Sequence, residues 1–588
     1  MTRGCQHNLS TGRARLVLAL TASLLLLAFG PAIARDCEDA ARPIPSLYAN
    51  ETPFRDAIEA ADTTPAAATK LSGITVPHHL LAAHLIARGF EAASDATYRR
   101  VIVLFPDHFR ATRGMFATIS RDFETVFGRV DSDEEAVEAL AAVAGAPAVG
   151  AEACLFAEDH GLQAMLPFIR HHFPDARIVP LAISIRSKRK DWEAAAAALA
   201  PLLDDDTLVV QSTDFSHYLP HYEARRHDQQ TLNLIAAGTF DQIALLRQPD
   251  HVDSLGALYI QLKLQRGHAG TTPLVVANEN QQQYDPLPVA ETTSYVVIQF
   301  GRFPDDVPAP DAEGTRFLYL AGDTSFARAM QDALLREPAA ERVAEAVLRR
   351  TGGRPLAVNL EGVILPNVPA GIDDMTLAMP QDLAIAWLKR LNVAAVSLAN
   401  NHALDLGEQG LSETRRALDE AGIIHAGQGE TIRVAGVDLV ALTDLNVNGS
   451  YDNDLITADL LAGIANGAGD RPLVAMVHWG REYADTPGPR EKFLAEALAR
   501  RAVSGIFGGH SHVASSEMQA LAGGDALHLY SLGNFLFDQT AEKASGAIVE
   551  LRIFEQGTFF GRLMPLPNLF DLAQEAAGQQ VGISSGDR

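Results

Sequence analysis

Short apolar runs alternate along this chain with longer stretches of mixed polarity, and the alternation recurs in both halves. In the first half the runs fall at 73–76, 100–105, 177–183 and 207–211. In the second they fall at 317–321, 356–360, 394–398, 439–443, 473–477, 505–507 and 528–530. Runs that are apolar at nearly every position predict strands buried on both faces, with the intervening stretches supplying helices that cover them. The predicted fold class is therefore α/β, as two domains, each a largely buried sheet covered by helices. A proline- and acid-rich stretch from Phe303 to Asp311 separates the halves and reads as an extended linker. The predicted organisation is a leader at 1–34, a first domain at 36–302, a linker at 303–314, a second domain at 315–575 and a polar tail at 576–588.

The leader carries Arg3, Arg13 and Arg15 without an acid, an apolar run over 16–29, and then Ala32-Ile33-Ala34. That order predicts a signal peptide cut before Arg35, hence export to the periplasm or beyond; the alternative is an uncleaved membrane anchor. With 588 residues, 47% hydrophobic and 21% charged, the chain can bury more than one core. Its net charge is −25, and loss of the three leader arginines makes it −25 − 3 = −28. Such a chain repels nucleic acid and anionic lipid, so neither is an expected partner, and a membrane is reached only through an uncleaved N-terminus. Cys37 and Cys154 survive leader removal and either pair or stay free.

The conspicuous polar residues cluster just past the C-terminal ends of the predicted strands, where loops of an open α/β sheet converge on ligands. In the second half six segments do so in order: Gly322-Asp323, Asn359-Leu360-Glu361, Asn400-Asn401-His402, His478-Trp479-Gly480, His510-Ser511-His512 and Gly533-Asn534. Carboxylates, an amide and imidazoles form a mixed oxygen and nitrogen donor set that suits Mn, Fe or Zn. A bridging carboxylate could join two such ions for phosphoryl chemistry. Arg328, in the helix past Asp323, could hold a phosphate or carboxylate bidentately, and Asn400 is a second candidate substrate contact.

These segments, with Asn-Asn-His-Ala-Leu-Asp-Leu-Gly at 400–407 and Tyr-Ser-Leu-Gly-Asn-Phe-Leu-Phe-Asp at 530–538, resemble the CapA family of capsule (poly-γ-glutamate) synthesis proteins, related to calcineurin-like metallophosphoesterases. The resemblance implies Asp323, Glu361, Asn401, His478, His510 and His512 as metal ligands, and His402 as general acid or transition-state stabiliser. The chain departs from the broader phosphoesterases at Ser325, where they have histidine, and at Glu361, where they bridge with aspartate. That departure leaves one metal ion or two open.

In the first half, Pro77-His78-His79, Pro106-Asp107-His108, Glu158-Asp159-His160 and Asp214-Phe215-Ser216-His217-Tyr218 occupy equivalent places. Three imidazoles at one sheet edge could hold a further divalent ion. With Glu124-Thr125-Val126-Phe127-Gly128, these segments resemble the Memo-like proteins (AmmeMemoRadiSam system protein B), whose fold is that of class III extradiol dioxygenases. The resemblance implies His78, His108 and His217 as metal or active-site histidines, with His160 and Asp214 beside them. The family's cysteine is missing near Asp253-Ser254-Leu255-Gly256, which excludes a thiol-dependent role there.

Together these readings predict an exported protein of capsule, poly-γ-glutamate or envelope-polymer metabolism with a metal-dependent hydrolase or transferase site. Its expected partners are an anionic envelope or capsule polymer, or a small phosphoester, and other capsule-synthesis components. The alternative is a non-catalytic polymer-binding or scaffold protein using both folds. A third reading makes the first half a mononuclear-iron oxidoreductase.

Overall fold

The computed structural model describes residues 36–61, 70–267, 270–446, 455–464, 469–539, 544–576 and 578, together with Thr69. The leader expected at 1–34 and nearly all of the expected tail lie outside the described residues.

The first half is built on an eight-stranded sheet. Its centre runs Arg177–Ile183, Arg100–Pro106, Thr207–Ser212 and Leu71–Val76, all parallel. The long strand Thr292–Gly301 then joins Leu71–Val76 antiparallel and carries Thr272–Asn280 as a second antiparallel partner. All six residues of Thr207–Ser212 are buried, as are the last six of Arg100–Pro106, as continuous apolar runs require when both faces are covered. Helices Ala83–Glu91 and Leu255–Gly267 supply those covers.

The second half stacks two six-stranded sheets. One runs Ile424–Ala426, Val393–Ser397, Leu356–Leu360, Thr315–Thr324, Gly546–Phe554 and Phe559–Leu566; the other runs Thr431–Val434, Val437–Thr443, Leu473–His478, Val503–Gly509, Ala526–Leu529 and Gln519–Leu521. Leu318, Leu320, Val549 and Leu551 of the first sheet meet Leu439, Val474, Met476 and Phe507 of the second in one buried cluster between them. Helices Glu337–Thr351 and Gln381–Arg390 cover the outer face of one sheet, and Pro489–Ala499 that of the other. The parallel strands of both sheets point their C-terminal ends the same way, so loops from two sheets meet at one edge. The isolated bridge between Asp323 and Asn534 ties the sheets together there.

Two antiparallel pairs, 272–280 with 292–301 and 546–554 with 559–566, fall outside the predicted strands. The stretch 303–314 is no free spacer either. Ala309 N–H donates to Glu550 Oε2 at 2.9 Å, Pro310 O accepts from Arg552 Nη2 at 2.5 Å, and Asp311 pairs with Arg354 at 2.7 Å. The halves also meet through helix His221–Ala236, whose Gln229 exchanges two hydrogen bonds with the backbone of Phe559 at 2.8 and 3.0 Å. Ala520, Phe554 and Phe560 join the first half's core cluster across this seam.

Cys37 and Cys154 form a disulfide that closes a 117-residue separation. Among the described residues no helix is long and apolar enough to cross a membrane.

Candidate metal centres

Asp323 is the penultimate residue of the strand Thr315–Thr324 and is fully buried. Its Oδ2 accepts from His510 N–H at 2.9 Å and lies 3.3 Å from His512 Nδ1. Its Oδ1 accepts from Asn359 Nδ2 at 2.9 Å and lies 3.6 Å from His478 Nδ1. Across the cluster, Glu361 Oε1 stands 4.0 Å from His478 Nε2, and that nitrogen is 2.8 Å from Asn401 Oδ1 and 3.1 Å from His510 Nδ1. Ligand atoms of Asp323, Glu361 and His478 all lie within 4.8 Å of one another. The structure thus brings together Asp323, Glu361, Asn401, His478, His510 and His512, from loops of both sheets.

Local backbone explains the aim of the paired imidazoles. His510 and His512 have φ of 83° and 60°, in the left-handed region that residues with a Cβ rarely occupy, and such strain collects at functional sites. Gly509 permits the close approach behind them, because a Cβ there would stand 2.6 Å from Asp323 Oδ1.

The cluster's electrostatics are set by burial and by the close approach of its carboxyl and imidazole groups. Burial would raise Asp323, but hydrogen bonding and charge from His512 hold its carboxyl well below the usual range. Burial and the neighbouring Asp323 charge push Glu361 well above it. Burial pushes His478 down to about 4 and holds His510 well below its ordinary value, leaving both as neutral donors. Two carboxylates with neutral imidazoles in a dry site fit a divalent cation, which would satisfy the oxygens and the imidazole lone pairs together. Ser325 Oγ, buried two positions past Asp323, has no hydrogen-bond partner among the described residues.

The remaining second-half residues sit around this cluster. His402 Nδ1 lies 3.0 Å from Asp405 Oδ2, and the ring stays partly open to solvent. Asn400 points inward, donating to Asn359 Oδ1 at 3.1 Å and Leu360 O at 2.8 Å. Arg328 is held bidentately by Asp538, also donates to Asp374 O at 3.1 Å, and lies over Phe537, so its fork is already occupied.

In the first half His78, His108 and His160 converge, with ligand atoms within 4.8 Å and ring centroids 4.1–4.9 Å apart. The triad contains His160 in the place expected for His217. His217 begins a short strand, and its Nδ1 is taken by Phe215 O. Asp159, fully buried, fixes His108 through Nδ1 at 2.8 Å and also accepts from His108 N–H at 3.0 Å, an orienting contact typical of ligating histidines. Burial opposes protonation of His108, but hydrogen bonds from it to Asp159 and Asp253 push its pKa up to about 10. Burial and the charges of His78 and His108 press His160 down to about 3.

The fourth group at this triad is Asp253, whose Oδ2 stands 3.1 Å from His78 Nε2 and 3.7 Å from His108 Nε2. Asp253 and Asn359 were not among the residues predicted to form the sites. Asp253 lies in the segment already marked by its missing cysteine, and Asn359 lies two positions before Glu361.

The profile of the Memo-like protein family matches residues 47–264, and that of the bacterial capsule synthesis protein PGA_cap matches residues 317–441 and 450–539. The chain joins a Memo-like domain to a bacterial capsule synthesis domain. Its PGA_cap half is 32% identical over 204 residues to a capsule biosynthesis protein CapA of Bacillus anthracis, covering 30% of this chain and 49% of that protein. It is 29% identical over 196 residues to a PGA biosynthesis protein CapA of Bacillus subtilis, covering 30% and 51%. The Memo-like half is 27% identical over 173 residues to a MEMO1 family protein of Methanopyrus kandleri, covering 28% and 60%. The chain thus spans about half to three-fifths of the length of these relatives. The Memo-like match covers both the histidine triad and Asp253, and the PGA_cap match covers every residue of the Asp323 cluster.

Proposed function

We propose that the protein acts outside the cytoplasm on capsule or envelope polymer, or on a small phosphoester, through a divalent-cation site in its PGA_cap half. The observation that carries this reading is the convergence of Asp323, Glu361 and His478, drawn from three strands of two sheets, in one buried cluster. Asp323, Glu361, Asn401, His478, His510 and His512 would hold the cation, whether Mn, Fe or Zn, and it would supply Lewis-acid polarisation of a phosphoryl or carbonyl oxygen.

The protein's own groups do the rest. Asp405 accepts from His402 Nδ1, which fixes the tautomer and leaves Nε2 to give or take a proton at the cluster's open side. Asn359 Nδ2 holds Asp323 and Glu361 in place, at 2.9 and 3.3 Å. The Memo-like half would hold a second cation with His78, His108, His160 and Asp253. The disulfide Cys37–Cys154 supports export, because such bonds persist in oxidising compartments.

A second reading, polymer binding without turnover, is favoured by Ser325, whose hydroxyl stands where the broader phosphoesterases place an imidazole. The test is metal analysis of residues 36–588 with turnover assays on a phosphoester and on γ-glutamyl polymer. The proposal expects metal-dependent turnover that His510→Ala removes. Retained polymer with no turnover under any added metal establishes the second reading.

A further inference from the structure

Residues 37–48 form a strap against the turn that carries Asp159 and His160. One end is covalent: buried Cys37 is bonded to Cys154, which immediately precedes the helix Leu155–Glu158, and that helix ends at Asp159. Gln163, buried and in the same short helix as His160, fixes the other end. Its Oε1 accepts from Leu47 N–H at 3.0 Å, and its Nε2 donates to Phe156 O at 2.6 Å and to Pro45 O at 3.5 Å. Between the ends, Ile44 N–H donates to Asp122 O at 2.7 Å, and Arg121 donates to Cys37 O at 2.6 Å and Arg42 O at 2.9 Å. Burial, with the charge of Asp159, pushes the Tyr48 phenol up to about 12, as neighbours would.

The turn held in this way aims the first centre's imidazoles. The Asp159 carboxylate takes the His108 ring at 2.8 Å, the His108 N–H at 3.0 Å and the Gly161 N–H at 2.8 Å, and His160 lies between Asp159 and Gly161 in the chain. A carboxylate that orients a ligating histidine is worth about 10–100-fold in metal affinity. A displaced Asp159 therefore disturbs two of the three histidines at once, His108 through its hydrogen bonds and His160 through the backbone.

We propose that the Cys37–Cys154 disulfide is a latch for the first centre: it clamps the strap on the Asp159 turn, and only the oxidised chain holds His108 and His160 in ligating geometry. The latch rests on the reading that the first half holds a cation. Its closure is thiol–disulfide exchange: the Cys37–Cys154 bond forms, the S–S bond of an oxidised disulfide carrier breaks, and the carrier leaves as a dithiol with both protons. A chain kept in a reducing compartment carries an unset first centre, and one folded in an oxidising compartment carries a complete one.

Chelator competition on the full chain with Zn2+, Mn2+ and Fe2+ in turn tests this, in an Asp323→Asn background that silences the second centre. The temperature is one at which circular dichroism shows every protein folded, so that a disulfide acting on stability alone leaves the affinity unchanged. Against the oxidised parent, the double change Cys37→Ala with Cys154→Ala should weaken the tightest-bound ion at least tenfold. Leu47→Pro, which removes the N–H given to Gln163 and keeps both cysteines, should weaken it at least threefold, and it decides if the double variant does not fold. Hydrogen exchange gives a readout without metal: the amides of His108 and Gly161, which donate to Asp159, should exchange at least tenfold faster in the double variant. Equal ion affinity in the parent and the variants would overturn the latch and leave the cation reading standing. An oxidised parent that binds none of the three ions would overturn that reading, and the latch with it.

Discussion

His478 Nε2 and Asn401 Oδ1 lie 2.8 Å apart although 77 positions separate them, because strands from two stacked sheets end at one edge. Removing either donor should therefore empty the same site. Asn401→Ala and His478→Ala are each expected to lower metal retained by the full chain at least tenfold, as measured by elemental analysis after dialysis. The double variant should lose no more than the worse single one, since residues of one site do not act additively.

Gly509→Ala tests the site's crowding rather than its donors. A Cβ there meets Asp323 Oδ1 at 2.6 Å and His478 Nδ1 at 3.4 Å. Overpacking of this kind costs about 1–3 kcal/mol. Metal affinity should fall with it, while the disulfide and the Memo-like triad stay intact. Competition with a chelator reads the affinity, and unchanged affinity would show that the loop yields freely.

Much of this centre was legible in the sequence, and the reasons are physical. Parallel strands buried on both faces have to be continuous apolar runs, so 356–360 and 473–477 announce themselves, and the polar residue that follows each run marks the sheet edge. The pairing of Arg328 with Asp538, 210 positions away, is one that no local pattern shows. That His160 packs on His108 with ring centroids 4.1 Å apart is a long-range contact that spacing does not carry, and the bond of His217 Nδ1 to Phe215 O does not bar ligation through its Nε2. The two antiparallel pairs escape because buried polar residues interrupt their apolar runs, Ser294 and Gln299 in 292–301 and Glu550 and Arg552 in 546–554.

That seam yields its own prediction. Gln229 both accepts from Phe559 N–H at 2.8 Å and donates to Phe559 O at 3.0 Å, inside a buried contact. Gln229→Ala leaves two buried backbone groups unpaired, at roughly 1–3 kcal/mol each. Calorimetry should show the single unfolding transition of the wild type move down or divide into two. A variant that unfolds at the wild-type midpoint would mean that the halves do not support each other through this helix.

The disulfide predicts a redox dependence confined to the first half. Closing a separation of 117 residues removes about 4–5 kcal/mol of unfolded-chain entropy in the chain-entropy picture. Cys154→Ala, or reduction with a thiol, should lower the midpoint of the Memo-like half and leave metal content at the Asp323 cluster unchanged. Equal midpoints with and without reductant would argue against it.

The carboxylate unforeseen at the first centre is open to the same treatment. Asp253→Asn keeps the side chain's shape but removes the negative charge 3.1 Å from His78 Nε2. Metal bound by the first half is expected to fall at least tenfold, with the second half unaffected, when each centre is followed in a background carrying a disabling change in the other.

The most direct measurement is elemental analysis of the purified full chain beside its Asp323→Asn variant, each in a His78→Ala background that silences the first centre. About one or two divalent ions per chain, lost on Asp323→Asn while the fold by circular dichroism is retained, is the predicted result. No bound divalent ion in either protein after loading with Mn, Fe or Zn would contradict it, and the buried Asp323, Glu361 and His478 would then be a shape kept without its cation.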